Sequence, residues 1–168
     1  VLGVSKGTAS MTLTFFSLAL VIGAIPAGII GTKIGRKKTI IIGLIGMLIL
    51  FSFTALSTDI VVVRILLTFA GLSWALININ SLPMVVEIAK SSRVGKYTGY
   101  YYFFSGAAAI ISPPLFGLIR DITNNYAHVF IYSAVAFVCA FICILTVKHG
   151  VADYSEEEIQ AEVKKLED

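Results

Sequence analysis

Apolar residues dominate the chain in five long runs, and short stretches between the runs hold most of the charged residues. A helix needs about 20 apolar residues to cross the ~30 Å hydrocarbon core of a bilayer, and each run is close to that length. The pattern therefore predicts an all-α fold, a polytopic helical membrane protein with five transmembrane helices. The predicted spans are residues 9–31, 39–57, 60–84, 97–119 and 127–147.

Composition supports the same class of protein. Hydrophobic residues make up 57% of the chain and charged residues 14%. The mean hydropathy is +0.90. A soluble core of this length could not hide so much apolar surface, so we expect lipid to cover it.

The basic residues predict how the chain is oriented, because cytoplasmic loops of membrane proteins collect lysine and arginine. They concentrate in three regions, after the first, third and fifth predicted spans: Lys33, Arg36, Lys37 and Lys38; Lys90, Arg93 and Lys96; Lys148, Lys164 and Lys165. We therefore expect residues 1–8 outside a cell membrane (plasma or inner membrane) and the carboxyl terminus in the cytoplasm. Topology alone accounts for the net charge of +3, so no nucleic-acid partner is expected.

Residues 149–168 are mostly charged and form the predicted cytoplasmic tail. Ser155 and Glu158 have the spacing of a capping box, and a thin apolar stripe follows them. We expect a short helix here.

The stretch from Gly23 to Lys38 joins a ladder of small residues to a basic cluster. Gly23, Ala27, Gly31 and Gly35 recur every four residues, which predicts one helix face where another backbone can approach closely. Pro26 lies within this ladder and predicts a kink.

The residues from Gly28 to Lys37 read "GIIGTKIGRK" and resemble the signature loop of the major facilitator superfamily, roughly Gly-x-x-x-Asp-Arg-x-Gly-Arg-Lys/Arg. The matched positions are Gly28, Thr32, Lys33, Gly35, Arg36 and Lys37. Thr32 stands where the family has Asp, and Lys33 stands where it has Arg. The resemblance implies a degenerate copy of the loop, of the kind found between helices eight and nine.

Four predicted spans follow that loop, so the resemblance implies helices 8 to 12 of a carrier whose amino-terminal half is absent from this chain. It also implies transport by alternating access, with solute held near the membrane midplane. The run from Asn80 to Ser105, "NSLPMVVEIAKSSRVGKYTGYYYFFS", resembles the sugar-carrying glycoside-pentoside-hexuronide and sucrose-type branch. A sugar or glycoside is the solute expected from this branch. A drug or organic anion in the same fold, or a non-transporting structural membrane subunit, is the alternative.

A polar stripe on the third span predicts the surface that could line a solute cavity. On a helical wheel, its polar and small residues fall within an arc of roughly 140°. The cavity candidates are Trp74, Asn78, Gly71, Thr68 and Ser81. An indole could stack on a sugar ring while an amide bonds its hydroxyls, although either side chain could instead fill space between helices.

The gate candidates are Arg64, Pro113 and Pro114. Arg64 lies about one turn inside its span and could pair with Asp59 or Asp121, or serve only as a structural anchor. The two prolines are expected to break the fourth span. Glu87 is expected to form a loop salt bridge, with Arg93 and Lys96 close to it in sequence.

The sequence favours neither an enzyme nor a metal protein. His128 and His149 lie at opposite ends of the last span, and no Cys/His/acid set has the spacing of metal ligands. Cys139 and Cys143, one turn apart in hydrocarbon, have no expected role. No cofactor is expected, and the site of any coupling H⁺ or Na⁺ is expected outside this chain, because the spans hold no acid near mid-depth. The expected partners are membrane lipid, the solute and the amino-terminal half.

Overall fold

The computed structural model describes residues 6–87, 89, 93–126 and 128–147. Over these residues the chain is all-α, as predicted. The five helices are α1 (Lys6–Ile34), α2 (Arg36–Leu56), α3 (Ile60–Glu87), α4 (Val94–Thr123) and α5 (His128–Thr146). Each is long and apolar enough to cross a membrane. The predicted tail helix lies outside the described residues, and so do Lys148, His149, Lys164 and Lys165.

The helix ends follow from local chemistry. Gly35 alone separates α1 from α2, and its φ of 92° is a conformation that residues with a side chain rarely adopt. Asp59 accepts hydrogen bonds from the backbone N–H groups of Val61 (2.7 Å) and Val62 (3.4 Å) at the start of α3. Asn124 ends α4 in the left-handed conformation, and its N–H bonds the carbonyl of Arg120.

Helix α3 is at the centre of the packing because small residues let both α1 and α2 approach it. Gly23 lies against Leu72 and Ala75, and Gly31 lies against Asn80. Ala27 on the same face is 1% exposed. These contacts confirm the predicted small-residue seam for three of its four members. Gly35 does not belong to it, because α1 has already ended there.

Helix α5 packs on α2 through aromatic rings. Phe51 meets Phe130 and Phe137 edge to face, with ring centroids 5.8 and 5.6 Å apart. Nearer the other end of the same interface, α2 and α3 contribute Ile40, Leu44 and Met84 to a cluster against which residues of α5 pack.

Helix α4 is the least covered helix. It packs only on α3 and α5 among the described helices, and none of its residues is buried. Its contact with α5 includes a hydrogen bond between the hydroxyls of Ser112 and Tyr132 (2.9 Å).

The expected break at Pro113 and Pro114 is wrong, since α4 continues through both prolines to Thr123. Each proline removes one backbone hydrogen bond, but its fixed φ is compatible with a helix, and the turns on either side hold the segment helical. Helix α1 likewise continues past Pro26.

Candidate functional site

Two cations of the signature-like segment, Arg36 and Lys37, lie together at the start of α2 and bond different helices. Arg36 donates from Nε to Oε1 of Glu87 at the end of α3, and from Nη1 to Oδ1 of Asn80 (3.3 Å). The Arg36–Glu87 pair is only partly exposed, at 19% and 23%. The expectation that Glu87 pairs within its own loop is wrong, because the turn at Gly35 brings Arg36 to the end of α3.

Asn80 connects this ion pair to α1. Its side chain is 0% exposed. Its Nδ2 donates to the carbonyl of Ala27 (3.0 Å) and to that of Leu76 in its own helix (2.9 Å). Arg36, Asn80 and Glu87, hereafter the Arg36 cluster, thus tie the end of α1, the start of α2 and the end of α3 together.

Lys37 extends the connection to α5. Its Nζ donates to the carbonyls of Leu145 (3.2 Å) and Val147 (2.5 Å), at the end of that helix. A cation here satisfies carbonyls that have no partner within the helix. The other signature positions make no such link. Thr32 bonds the carbonyl of Ile29 in its own helix, Lys33 is exposed, and a Cβ placed on Gly28 would contact Ile79 of α3.

The polar stripe of α3 does not form a single lining. Gly71 is buried against α1, where a Cβ would meet the carbonyl of Phe16 and the side chain of Ala19. The hydroxyl of Thr68 bonds the carbonyl of Arg64, and that of Ser81 bonds the carbonyl of Ile77, each within α3. These groups are used in packing or in local hydrogen bonds.

Trp74 and Asn78, hereafter the open face of α3, differ from the other members of the stripe. Trp74 is half-buried and meets Phe137 of α5 with ring centroids 6.4 Å apart. Asn78 is exposed, and its amide has no hydrogen-bond partner among the described residues. An indole and a free amide one turn apart can stack on a ring and bond a polar group of a solute.

Arg64 pairs with neither Asp59 nor Asp121. Its guanidinium lies over the ring of Phe15 in α1, 5.4 Å from the centroid. Asp121 instead bonds Arg120 of the same helix. Among the buried side-chain nitrogen and oxygen atoms of the described residues, Nε of Arg64 is the one without a partner.

A cavity of about 350 Å³ lies between α2, α3, α4 and α5 near the Arg36 cluster. Ser81, Met84, Tyr101 and Cys143 are among its lining residues, and the lining is almost entirely apolar. Tyr101 of α4 thus borders the space between these helices.

Asn80 and Phe15 are the residues that sequence reasoning missed. Asn80 is not among the cavity candidates, and the sequence assigns it no role. An amide side chain in an apolar span needs a hydrogen-bond partner. The small-residue seam on α1 exposes backbone carbonyls to a neighbouring helix, and it is the sequence signal that could have indicated such a partner. Phe15 gives no comparable signal.

Long apolar helices packed along small-residue seams, with buried polar links between them, define a polytopic helical membrane protein. The chain belongs to the Major Facilitator Superfamily, whose family model matches residues 1–167. The match is to a transporter family, in agreement with the expectation that the chain is not an enzyme.

Three relatives carry transporter names. Human "Monocarboxylate transporter 7" is 27% identical over 153 residues, which cover 88% of this chain and 29% of the relative. "Monocarboxylate transporter 6" of Mus musculus is 33% identical over 98 residues, covering 56% of this chain and 20% of the relative. "MFS-type transporter ppzB" of Metarhizium rileyi is 26% identical over 126 residues, covering 75% and 26%. The chain thus spans less than a third of the length of these relatives.

Proposed function

We propose that the chain is part of a secondary carrier that moves a small organic anion across a membrane by alternating access. The observation that carries this proposal is the family match over residues 1–167, on a chain with five helices that can span a membrane. The solute class is supported by the names of two relatives, both monocarboxylate transporters. The sugar branch expected from the sequence receives no support from these names.

The packing supports a mechanism in which α1, α2 and α3 move as one body. Close contacts along the seam of small residues, together with the Arg36 cluster, resist relative motion of these three helices. Helix α4 has few contacts with this body. Such a boundary between a rigid group of helices and a loosely held one fits rocking-type alternating access.

The chain fits best as the carboxyl-terminal part of the carrier, with its amino terminus outside and its tail in the cytoplasm. The basic residues on either side of the turn at Gly35 and those beyond α3 support this orientation. The apolar surface that α4 leaves uncovered is available to the rest of the carrier, and the short coverage of the relatives agrees with a longer whole protein.

A sugar or glycoside is the second candidate, because of the open face of α3. The half-buried indole of Trp74 and the unbonded amide of Asn78 suit ring stacking and hydroxyl recognition. In that case Trp74→Ala should impair sugar uptake more than membrane insertion, and unchanged uptake at normal membrane levels would remove Trp74 from the site.

Uptake by the full-length protein in liposomes tests the proposal. Two groups of labelled probes are compared: the carboxylates lactate, pyruvate and benzoate, and the sugars, a hexose and a disaccharide. Uptake of each probe is measured with and without imposed H⁺ and Na⁺ gradients. Saturable carboxylate uptake above that of empty vesicles is the expected result. Sugar uptake without carboxylate uptake would favour the second candidate, and uptake of neither by folded protein would contradict both.

A further inference from the structure

Arg64 lacks a counter-charge among the described residues. The described residues contain three side-chain carboxylates, and each has another partner. Asp59 bonds backbone N–H groups of α3, Glu87 bonds Arg36, and Asp121 bonds Arg120. Nε of Arg64 is enclosed without a hydrogen bond. Burying a charged donor without a partner is unfavourable, so an anionic group at this position would relieve that penalty.

Phe15 holds the guanidinium in place. The guanidinium carbon lies over the ring, 5.4 Å from its centroid, and a cation–π contact of this kind uses none of the N–H donors of the guanidinium. The fork of N–H donors matches a carboxylate or phosphate in two-point geometry. The Arg64–Phe15 pair is therefore already arranged for an anion.

The depth of Arg64 points to an entrance and not to the midplane site. Helix α3 has 28 residues, and Arg64 lies ten residues before Trp74, which is near its middle. That separation corresponds to about 15 Å along the helix axis, or half of the ~30 Å hydrocarbon thickness. The guanidinium thus lies near the boundary between hydrocarbon and water, where a dissolved anion can reach it.

We propose that Arg64, in cation–π contact with Phe15, is an entrance site that binds the carboxylate group of the solute before the solute moves deeper between the helices. This assignment rests on the proposed function, because it gives the organic anion a named residue. A phospholipid phosphate has the same chemistry, so the experiment must separate a dissolved solute from a lipid headgroup.

The test compares Arg64→Gln with wild type in the full-length carrier, using labelled lactate and benzoate in proteoliposomes. Loss of a two-point charged contact should raise the KM by about tenfold or more, with a much smaller change in kcat. Arg64→Lys keeps the charge and loses the fork, so its KM should lie between the two. Lys is tolerated at the boundary between hydrocarbon and water, so Arg64→Lys is expected to fold. If Arg64→Gln fails to fold, the KM of Arg64→Lys tests the assignment.

Arg120→Gln is the matched control. Arg120 is also an arginine near the end of its helix, but it is more exposed and already bonds Asp121. Its loss should leave the KM for carboxylates within about twofold of wild type. An equal rise in KM for Arg120→Gln would show a general effect of surface charge and would overturn the assignment to Arg64.

Vesicles made of phosphatidylcholine, with and without added phosphatidylglycerol, separate the two sources of anion. A KM rise in Arg64→Gln that is the same in both vesicles supports the solute. An unchanged KM, with loss of co-purified phospholipid by mass spectrometry, would assign the site to lipid and overturn the proposal. An unchanged KM with lower thermal stability would show that Arg64 pairs with another part of the carrier, and would also overturn it.

Different results would overturn the proposed function and the Arg64 assignment. If wild type takes up sugar and no carboxylate, the proposed function and the Arg64 assignment fall together. If wild type takes up carboxylate and both Arg64 variants keep its KM, only the Arg64 assignment falls.

Discussion

Two asparagines on α3 have opposite environments although they are two residues apart. Asn80 is 0% exposed, and it bonds α1, its own helix and Arg36. Asn78 is exposed and has no partner among the described residues. In the same way, Arg36 bonds two side chains, whereas the guanidinium of Arg64 lies over an aromatic ring and its Nε has no hydrogen-bond partner among the described residues.

The difference separates polar groups that hold helices together from polar groups that remain available. Around the Arg36 cluster, donors and acceptors satisfy one another across three helices. On the open face of α3 and at Arg64 they do not, and an unsatisfied polar group in a membrane protein is a candidate for function. The comparison therefore predicts that stability depends on the first region and solute recognition on the second.

The largest expected effect comes from exchanging the two asparagines for alanine. Asn80→Ala removes the hydrogen bond to the carbonyl of Ala27 that joins α3 to α1 and leaves one donor of Arg36 unpaired, and should lower the free energy of unfolding by about 3 kcal/mol. Asn78→Ala should lower it by less than about 0.5 kcal/mol. Denaturant unfolding of the chain in lipid–detergent micelles measures both, and equal losses would remove the distinction between the two regions.

Two glycines give the next largest contrast. A Cβ at Gly71 would meet the backbone carbonyl of Phe16, which cannot move aside as a flexible side chain can, so Gly71→Ala should cost about 2 kcal/mol. Gly106 on α4 has no atom within 4 Å of the same position, and Gly106→Ala should be neutral or slightly stabilising. Thermal unfolding in micelles checks the pair. A stable Gly71→Ala protein with impaired transport would instead return Gly71 to the solute cavity.

The helices could be predicted from sequence because hydrocarbon thickness constrains them almost by itself. Run lengths predicted five helices long and apolar enough to cross a membrane, and the spacing of Gly23, Ala27 and Gly31 predicted a seam between helices. These properties depend only on residues that are close in sequence. No knowledge of which helices are neighbours was needed.

The site could be predicted less well because its contacts join distant parts of the chain. Glu87 is 51 residues from Arg36, and the sequence favoured the nearby cations Arg93 and Lys96 as its partners. The helical wheel gave Gly71 and Asn78 similar directions, but it contains no information about which face of α3 meets α1 at each level. Helix α1 covers Gly71, and further along it contacts Ile79 and Asn80 instead of Asn78.

The ion pair gives a smaller effect that tests how far the cluster acts as a unit. Arg36→Gln, Glu87→Gln and the double variant form a cycle whose coupling energy should be about 1 kcal/mol, because the pair is partly exposed and both side chains are on the margin of the bundle. Unfolding free energies of the four proteins provide the measurement. A coupling energy near zero would mean that Asn80 alone joins these helices.

The smallest expected effect lies at the end of α5, where Lys37 bonds the carbonyls of Leu145 and Val147. Lys37→Met should lower the unfolding free energy by about 0.5 kcal/mol and increase hydrogen exchange at the end of α5, because it removes a cation from the negative end of the helix dipole. Lys38→Met is the matched control, since Lys38 is exposed and bonds no described residue. If both variants leave exchange in α5 unchanged, the bonds of Lys37 do not stabilise the end of α5.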